Sequence, residues 1–482
     1  MWPFRQHLPA KVGGHPLEEA TLLAAASTQD DTWLDERTVD DLELGSVFTS
    51  IDRTRTATGA QVLWRWLRAP TRSPAVLAQR EAAIAQIDPA RIADAIGSPP
   101  DTNGSLLPAL LWQSPPPPFS GRVTAALLVA LVASLIATML WPPALFFAVL
   151  LFIANVFLDD WSKIRLANAG AAIKVLDGVL VRSIALAAAF PALGAPIRDD
   201  LRVRGKFRRR IALLHLQDPL GLADMIRAGL LVRVLVTRSC MQIVDAERER
   251  LRRIVEWFGE MDALTSIKIL RSERDVHVPE IVEGPPALEA RDLVHPAVPD
   301  CVANDVTLAA SGLLITGSNM SGKSTFLRTI AINAVLAQSI HTTFGAWRSS
   351  PLYVRAVMRI EDVLEDGMST YAVEVAAMHE LVSDPRPCLF VIDEPFHGTN
   401  PAVRVPIIVA VLEYLVGRGL VVTATHDLDV AHQLDQRFAR GYFEERDGDF
   451  DRTLRTGIAP VSNAIEILRR AGYPEAIMER LS

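Results

Sequence analysis

An α/β sheet domain in the C-terminal part, joined to an all-α region that carries an apolar helical hairpin, is the fold this sequence predicts. Three observations point to it. From about residue 302 onward, short β-rich apolar runs alternate with helical patterns, as in a sheet with helices on its faces. Before that, residues 33–111 and 160–269 carry apolar side chains at helical spacing. Between those two stretches, residues 123–158 contain no charged side chain.

Taken in chain order, the 482 residues have room for about three domains. Residues 1–32 read as a poorly structured leader. Their Pro, Gly and charged residues stand where a signal peptide needs an apolar run. Residues 33–114 form the first part of the helical region, and Ser114 with the four prolines that follow is a stiff linker. The hairpin is expected over 122–161, divided by Pro142 and Pro143. Its first run, 123–141, spans roughly 28 Å as a helix, and its second, 143–158, roughly 24 Å. Trp141 and Trp161 stand at run ends, where interfacial indoles are favoured. Arg122 before the pair, and Lys163 and Arg165 after it, place both ends on the cytoplasmic side. Membrane insertion by 123–158 is the favoured reading, because 36 uncharged residues leave no face for water. A buried core hairpin in a large helical domain is the alternative.

The second part of the helical region covers 162–278. Within it, 220–236 is apolar but carries Asp224, Arg227 and Arg233, which suits an amphipathic helix in a bundle better than a third span. Residues 198–210 hold seven Arg/Lys and two Asp. They could meet phosphates of nucleic acid or anionic lipid, or form a solvated helix face. The Pro-rich stretch 278–299 is expected to bridge to the last domain, 290–482.

Composition narrows the function classes. With 49 basic and 56 acidic residues, the net charge of −7 carries no global nucleic-acid signature. Cys240, Cys301 and Cys388 are scattered singly, which excludes a disulfide framework or a Cys-rich zinc site and fits a reducing compartment. A hydrophobic fraction of 50% is high for a soluble chain, and the excess is concentrated in the hairpin.

The chemistry-bearing residues cluster in the last domain. Gly317, Ser318, Asn319, Met320, Ser321, Gly322, Lys323 and Ser324 fit the P-loop pattern, with Thr325 opening the helix behind it. Glycines let backbone amides turn toward phosphate oxygens, and the helix N-terminus adds partial positive charge. Lys323 can reach β- and γ-phosphates, and the Ser324 hydroxyl can ligate Mg²⁺. The apolar run 388–392 ends in Asp393, placed to hold Mg²⁺, and Glu394, placed to polarise an attacking water. A second apolar run, 420–425, ends in His426, positioned for a γ-phosphate or water. Ser369 and Thr370 open a helix. They are either an ordinary cap or donors to a partner's γ-phosphate in a composite site.

This order of motifs resembles the MutS family of ABC-type ATPases. The resemblance rests on HP at His295-Pro296, GSNMSGKST at 317–325, STYAVEV at 369–375, DEPFHGTN at 393–400 and ATH at 424–426. It extends upstream to 51–59 and 66–70, similar to the start of the family's helical lever domain, and downstream to 457–474, similar to its helical tail. The resemblance implies a P-loop ABC-type ATPase domain on a lever-like all-α domain, using ATP and Mg²⁺. It also implies a homodimer through the ATPase domain, with Lys323, Ser324, Asp393 and Glu394 acting in cis and Ser369 and Thr370 in trans. Family members couple ATP state to arms that clamp DNA, and some signal mismatches.

Several residues depart from that pattern. The leader has no room for the mismatch-reading domain, and Phe258-Gly-Glu260 repeats its wedge letters only by chance. Pro395, Phe396 and His397 replace a small apolar residue and Gly-Arg, and the segment before Ser369 is short. The apolar hairpin lies where mismatch-binding members carry lever tips, and a greasy tip cannot grip phosphates. The expected function is an ATPase that moves membrane-tethered helical arms, with its ATPase domain in the cytoplasm and its anchor in the inner or plasma membrane. The alternative is a soluble, cytoplasmic DNA mismatch-repair or DNA-binding protein. An ABC transporter is a weaker third reading, since two short spans are too few for a transport path.

Overall fold

The computed structural model describes residues 15–26, 32–97, 106–113, 121–215, 222–318, 321–358, 370–446, 449–459 and 473–474. The Pro-rich linker 114–118 and most of the tail 457–474 lie outside them. The chain divides into two compact units. One comprises 1–28, 53–65 and 86–268, and the other 29–52, 66–85 and 269–482.

The described elements of the first unit are helical. Residues 17–26, expected to be unstructured, form the helix Leu17–Ala26, with Ala20, Leu23 and Ala24 buried. The run LEEATLLAAA is rich in strong helix formers, and this outweighs the Pro and Gly just before it.

Two helices far apart in sequence, Ala57–Arg68 and Arg248–Glu273, are locked together by a buried carboxylate. Asp262 accepts from the amides of Arg55 and Thr56 and from the Thr56 hydroxyl at 2.7–3.1 Å. The Thr56 amide is one of the donors left open at the start of the first helix. Gly59 faces this carboxylate, and a Cβ there would lie 2.2 Å from Asp262 Oδ2. The stretch 51–59 therefore has a packing reason for its Thr-Gly pattern. Phe258, on the same long helix, is fully buried, so the Phe-Gly-Glu letters belong to the core.

The hairpin forms as two helical arms. Gly121–Ala137 leads to a turn at 138–143, and the second arm opens at Ala144. This arm does not stop near Trp161. It continues unbroken to Ala189, 46 residues or about 69 Å in all. Charged residues after 158 change which surroundings suit the helix, but they do not end it. The stretch Ala144–Trp161 is long and apolar enough to cross a bilayer, and the 17-residue first arm is shorter.

Most of the hairpin's large apolar side chains are exposed. Met139 and Leu140 at the turn are 89% and 90% accessible, and Val129, Phe146 and Phe157 are exposed along the arms. At the base, Asn155 Nδ2 donates to the Gly229 carbonyl at 2.9 Å, and Arg233 lies 3.7 Å from buried Asp159. The 220–236 stretch is helical, Leu222–Gly229 and Val232–Ala246, interrupted where Leu231 takes a left-handed backbone.

Cations of the 198–210 segment pair with acids of the same unit. Arg202 meets Asp199, Arg204 meets Asp177, and Lys206 meets Glu247.

The second unit holds ten strands among the described residues: β1 Glu280–Ile281, β2 Ala287–Leu293, β3 Asn304–Ala309, β4 Gly312–Thr316, β5 Ala346–Ser349, β6 Tyr353–Val357, β7 Cys388–Asp393, β8 Leu420–Thr425, β9 Phe438–Arg446 and β10 Asp449–Thr456. The Pro-rich stretch expected to bridge domains thus carries β1 and β2. A four-stranded sheet has the order β1-β5-β2-β3, and a six-stranded sheet the order β10-β9-β4-β8-β7-β6. In the larger sheet β9, β4, β8, β7 and β6 run parallel, and β10 returns antiparallel. Both faces of its centre are covered: β4 and β8 are buried along their whole length, as is nearly all of the helix Lys323–Ser339.

The edge strand β6 is capped from the same unit. The Thr38 hydroxyl accepts from the Ala356 amide, and the Asp41 carboxylate from the Met358 amide, both at 3.0 Å. These bonds occupy amides that an open edge would offer to another chain.

Candidate active site

The register of three parallel strands builds the site. Thr316 on β4 stands opposite Thr425 on β8, and Ala424 on β8 stands opposite Asp393 on β7. The loop after β4, the acidic pair closing β7 and His426 after β8 therefore emerge together at the carboxyl ends of these strands. Crevices at the carboxyl ends of parallel strands are where open α/β sheets bind ligands.

Gly317 and Gly322 bracket the loop with φ of 144° and 104°, a region that side-chain-bearing residues avoid. A Cβ at Gly317 would also crowd the Phe443 carbonyl at 3.1 Å. Asn319 and Met320 lie outside the described residues. Lys323 opens the helix with its side chain only 5% exposed, and Nζ donates to the carbonyls of Gly317 and Ser318 at 2.8 and 2.9 Å. The lysine thus folds back on its own loop. Burial lowers its pKa, against the opposing pull of Glu394 and Asp393. Ser321 is buried, while Ser324 and Thr325 stand half-buried in the first helical turn.

Burial pushes the Asp393 carboxyl above its usual range, with the Ser324 hydroxyl pulling the other way. Its Oδ1 is buried with no hydrogen-bond partner among the described residues. An orphaned carboxylate oxygen beside a serine hydroxyl is a hard-oxygen donor set that fits Mg²⁺.

Glu394 leaves the strand with a left-handed backbone, φ 50°, while its amide still bonds the Ala424 carbonyl at 3.0 Å. Its Oε2 lies 2.6 Å from His426 Nδ1, and its Oε1 3.9 Å from Lys323 Nζ. Burial alone would raise Glu394, but the His426 hydrogen bond and the charges of His426 and Lys323 bring it below the ordinary carboxylate range. The same hydrogen bond raises His426. Both shifts favour a carboxylate facing an imidazolium.

Glu374, read from the sequence only as lying in the turn near Ser369 and Thr370, organises the next loop. It is 4% exposed and accepts from the amides of His397 and Gly398 at 3.1 Å each. It fixes the turn in which Phe396 takes φ 57°. Its sequence signal is thin, an acid one turn into a helix. Thr370 begins that helix, Thr370–Ser383, and Ser369 lies outside the described residues. His397, which departs from the family pattern, sets its ring 5.7 Å from that of His426, edge to face.

Comparison with known proteins finds relatives for the part of the chain that carries this site. Residues 313–482 match the family model of MutS domain V. A DNA mismatch repair protein MutS of Natronomonas pharaonis is 32% identical over 263 residues, 50% of this chain and 30% of that protein. One from Clostridium tetani is 29% identical over 265 residues, again 50% and 30%. DNA mismatch repair protein MutS 2 of Haloarcula marismortui is 28% identical over 273 residues, 49% and 29%. The matched stretch therefore spans less than a third of each of these relatives. Over residues 313–482, this chain is similar to MutS domain V.

Proposed function

We propose that this chain hydrolyses ATP in a composite homodimer and uses the cycle to move helical arms anchored at a membrane. The observation that carries the hydrolase reading is the convergence of Lys323, Ser324, Asp393, Glu394 and His426 on the ends of three registered strands. The loop 317–325 cradles the triphosphate. Lys323 exchanges its two carbonyl partners for β- and γ-phosphate oxygens, so its charge moves from a self-bonded store to the substrate. Ser324 and Asp393 would hold Mg²⁺, which when bound neutralises charge developing on the phosphates.

Glu394 is deprotonated at neutral pH and takes up the proton of the attacking water. His426, its pKa raised by the hydrogen bond to that same carboxylate, holds it in place and offers a donor toward the γ-phosphate. Ser369 and Thr370 act on the partner subunit's nucleotide, which makes closure of the dimer a condition for turnover.

The membrane reading is supported by residues 123–158, uncharged and lined with exposed Val129, Ile136, Phe146, Leu150 and Phe157. An apolar surface this long exceeds what monomeric soluble proteins leave open. In this reading the ATPase domain is cytoplasmic and the hairpin enters the inner or plasma membrane. The second reading, a soluble DNA-binding or mismatch-repair ATPase, is favoured by the names of the relatives. Pairing of Arg202, Arg204 and Lys206 with neighbouring acids weakens its phosphate-contact surface.

One experiment separates the readings: ATP turnover of the full chain and of Glu394→Gln, each with vesicles and with duplex DNA. We expect turnover to fall at least about hundredfold in Glu394→Gln with nucleotide binding kept, and wild type to respond to vesicles. Unchanged turnover in Glu394→Gln overturns the base. Stimulation by DNA alone, with no flotation on vesicles, overturns the membrane tether.

A further inference from the structure

We propose that Glu394, His397 and His426 form a binding site for a zinc-class transition-metal ion beside the strand ends. Their donor atoms all lie within 4.8 Å of one another. Ligands about 2.1 Å from a tetrahedral ion sit about 3.4 Å apart, so closure needs side-chain shifts of about an ångström. Two imidazoles and one carboxylate make a borderline-soft set that suits Zn²⁺, and three protein ligands leave one position open. The neighbouring Ser324 and Asp393 offer only hard oxygens and suit Mg²⁺. Two ions of different chemistry are thereby sorted onto adjacent donor sets.

The three ligands are held from separate directions. Glu394 is turned off β7 by its left-handed backbone, with Oε2 toward His426 and Oε1 on the side of Lys323. His426 follows the last residue of β8. His397 sits on the turn that Glu374 fixes through the amides of residues 397 and 398. Such outer support orients first ligands in metal sites. An ion there takes Oε2 of Glu394 away from water, so it inhibits hydrolysis. That inhibition rests on Glu394 being the base, whereas the binding claim rests on geometry alone.

The test uses the tag-free full chain without nucleotide. Zn²⁺ is titrated calorimetrically, and Co²⁺ by its visible absorption, into wild type, His397→Gln and His397→Asn, with near-ultraviolet circular dichroism to check that each variant is folded. We expect one ion per chain in wild type, intense tetrahedral Co²⁺ bands, and affinity at least tenfold weaker in both variants. Absence of saturable binding in wild type, or equal affinity in a folded variant, overturns the site. ATP turnover with added Zn²⁺ is then read against each protein's own zinc-free rate. Inhibition of wild type that either folded variant resists supports the regulatory consequence. Metal binding without inhibition leaves the site standing and counts against Glu394 as base.

Discussion

At the ends of β4, β7 and β8 the chain buries charge, whereas along the 121–161 hairpin it exposes carbon. In the first region Lys323 rests on two carbonyls, Glu394 rests on His426, and an Asp393 oxygen is left open beside Ser324. In the second, Met139, Leu140 and Phe157 stand exposed. Burying polar groups is tolerated when they are paired or when a ligand completes them. Exposing a long apolar surface is tolerated when another phase or partner covers it. Both regions are incomplete by their own physics, one toward a charged ligand and the other toward an apolar one.

The comparison breaks most sharply at the hairpin. Val129 and Ile153 are exposed, one near the middle of the first arm and the other near the middle of the apolar stretch Ala144–Trp161 of the second. Aspartate at both places charges near the bilayer centre, costing about 5–7 kcal/mol in total. Val129→Asp with Ile153→Asp should abolish vesicle flotation while the melting temperature in detergent holds. Flotation at the wild-type level would show that the hairpin is not the anchor.

The ligand-seeking end is tested by Lys323→Ala. Two charge-assisted hydrogen bonds to phosphate contribute about 1.5 kcal/mol or more each, so nucleotide affinity should drop roughly hundredfold. Fluorescent nucleotide titration measures it, and a change below threefold would mean that the lysine stays on its loop carbonyls.

The parts of this architecture that were legible in sequence are local ones. A buried strand is written in five or six consecutive letters, so β4, β7 and β8 and the residues that follow them could be read directly. The hairpin was legible for the same reason, as an unbroken uncharged run. Bonds between a side chain and a distant backbone leave no such trace. Glu374 holds amides 23 and 24 positions away, and Asp262 holds amides 206 and 207 positions away. Nothing near either acid announces its partner. Helix continuity past Trp161 was hidden too, because Lys163 and Arg165 mark a change of surroundings and not of backbone.

Glu374→Ala measures how much one such hidden bond is worth to the site. It removes two part-buried hydrogen bonds to a charged acceptor, worth about 1.5–3 kcal/mol each less what water recovers at the exposed His397 and Gly398 amides. Thermal unfolding should show a loss of about 2 kcal/mol. If the turn positions the catalytic loop, kcat falls while nucleotide affinity stays within about twofold. Equal losses in both would assign Glu374 a purely structural part.

The smallest expected effect concerns His295, next to Pro296 at the end of β2, a buried group with no ligand to gain. Burial, with the Arg328 charge adding to it, pushes this imidazole down to about 4. Its Nδ1 already accepts from the Ala297 amide at 3.2 Å, which leaves no room for a proton there. In the unfolded chain it titrates near 6.5, so between those values the unfolded state binds more protons than the folded one. The neutral form's contribution is complete above pH 6.5 and is lost as pH falls toward 4. Across pH 7 to 5 the loss amounts to about 2 kcal/mol. His295→Gln removes the titration, so its stability profile from denaturant unfolding should be flatter than wild type by that amount. Parallel profiles would mean that His295 takes up its proton in the folded state, and that the domain meets this buried charge as it meets those at the strand ends, by pairing it.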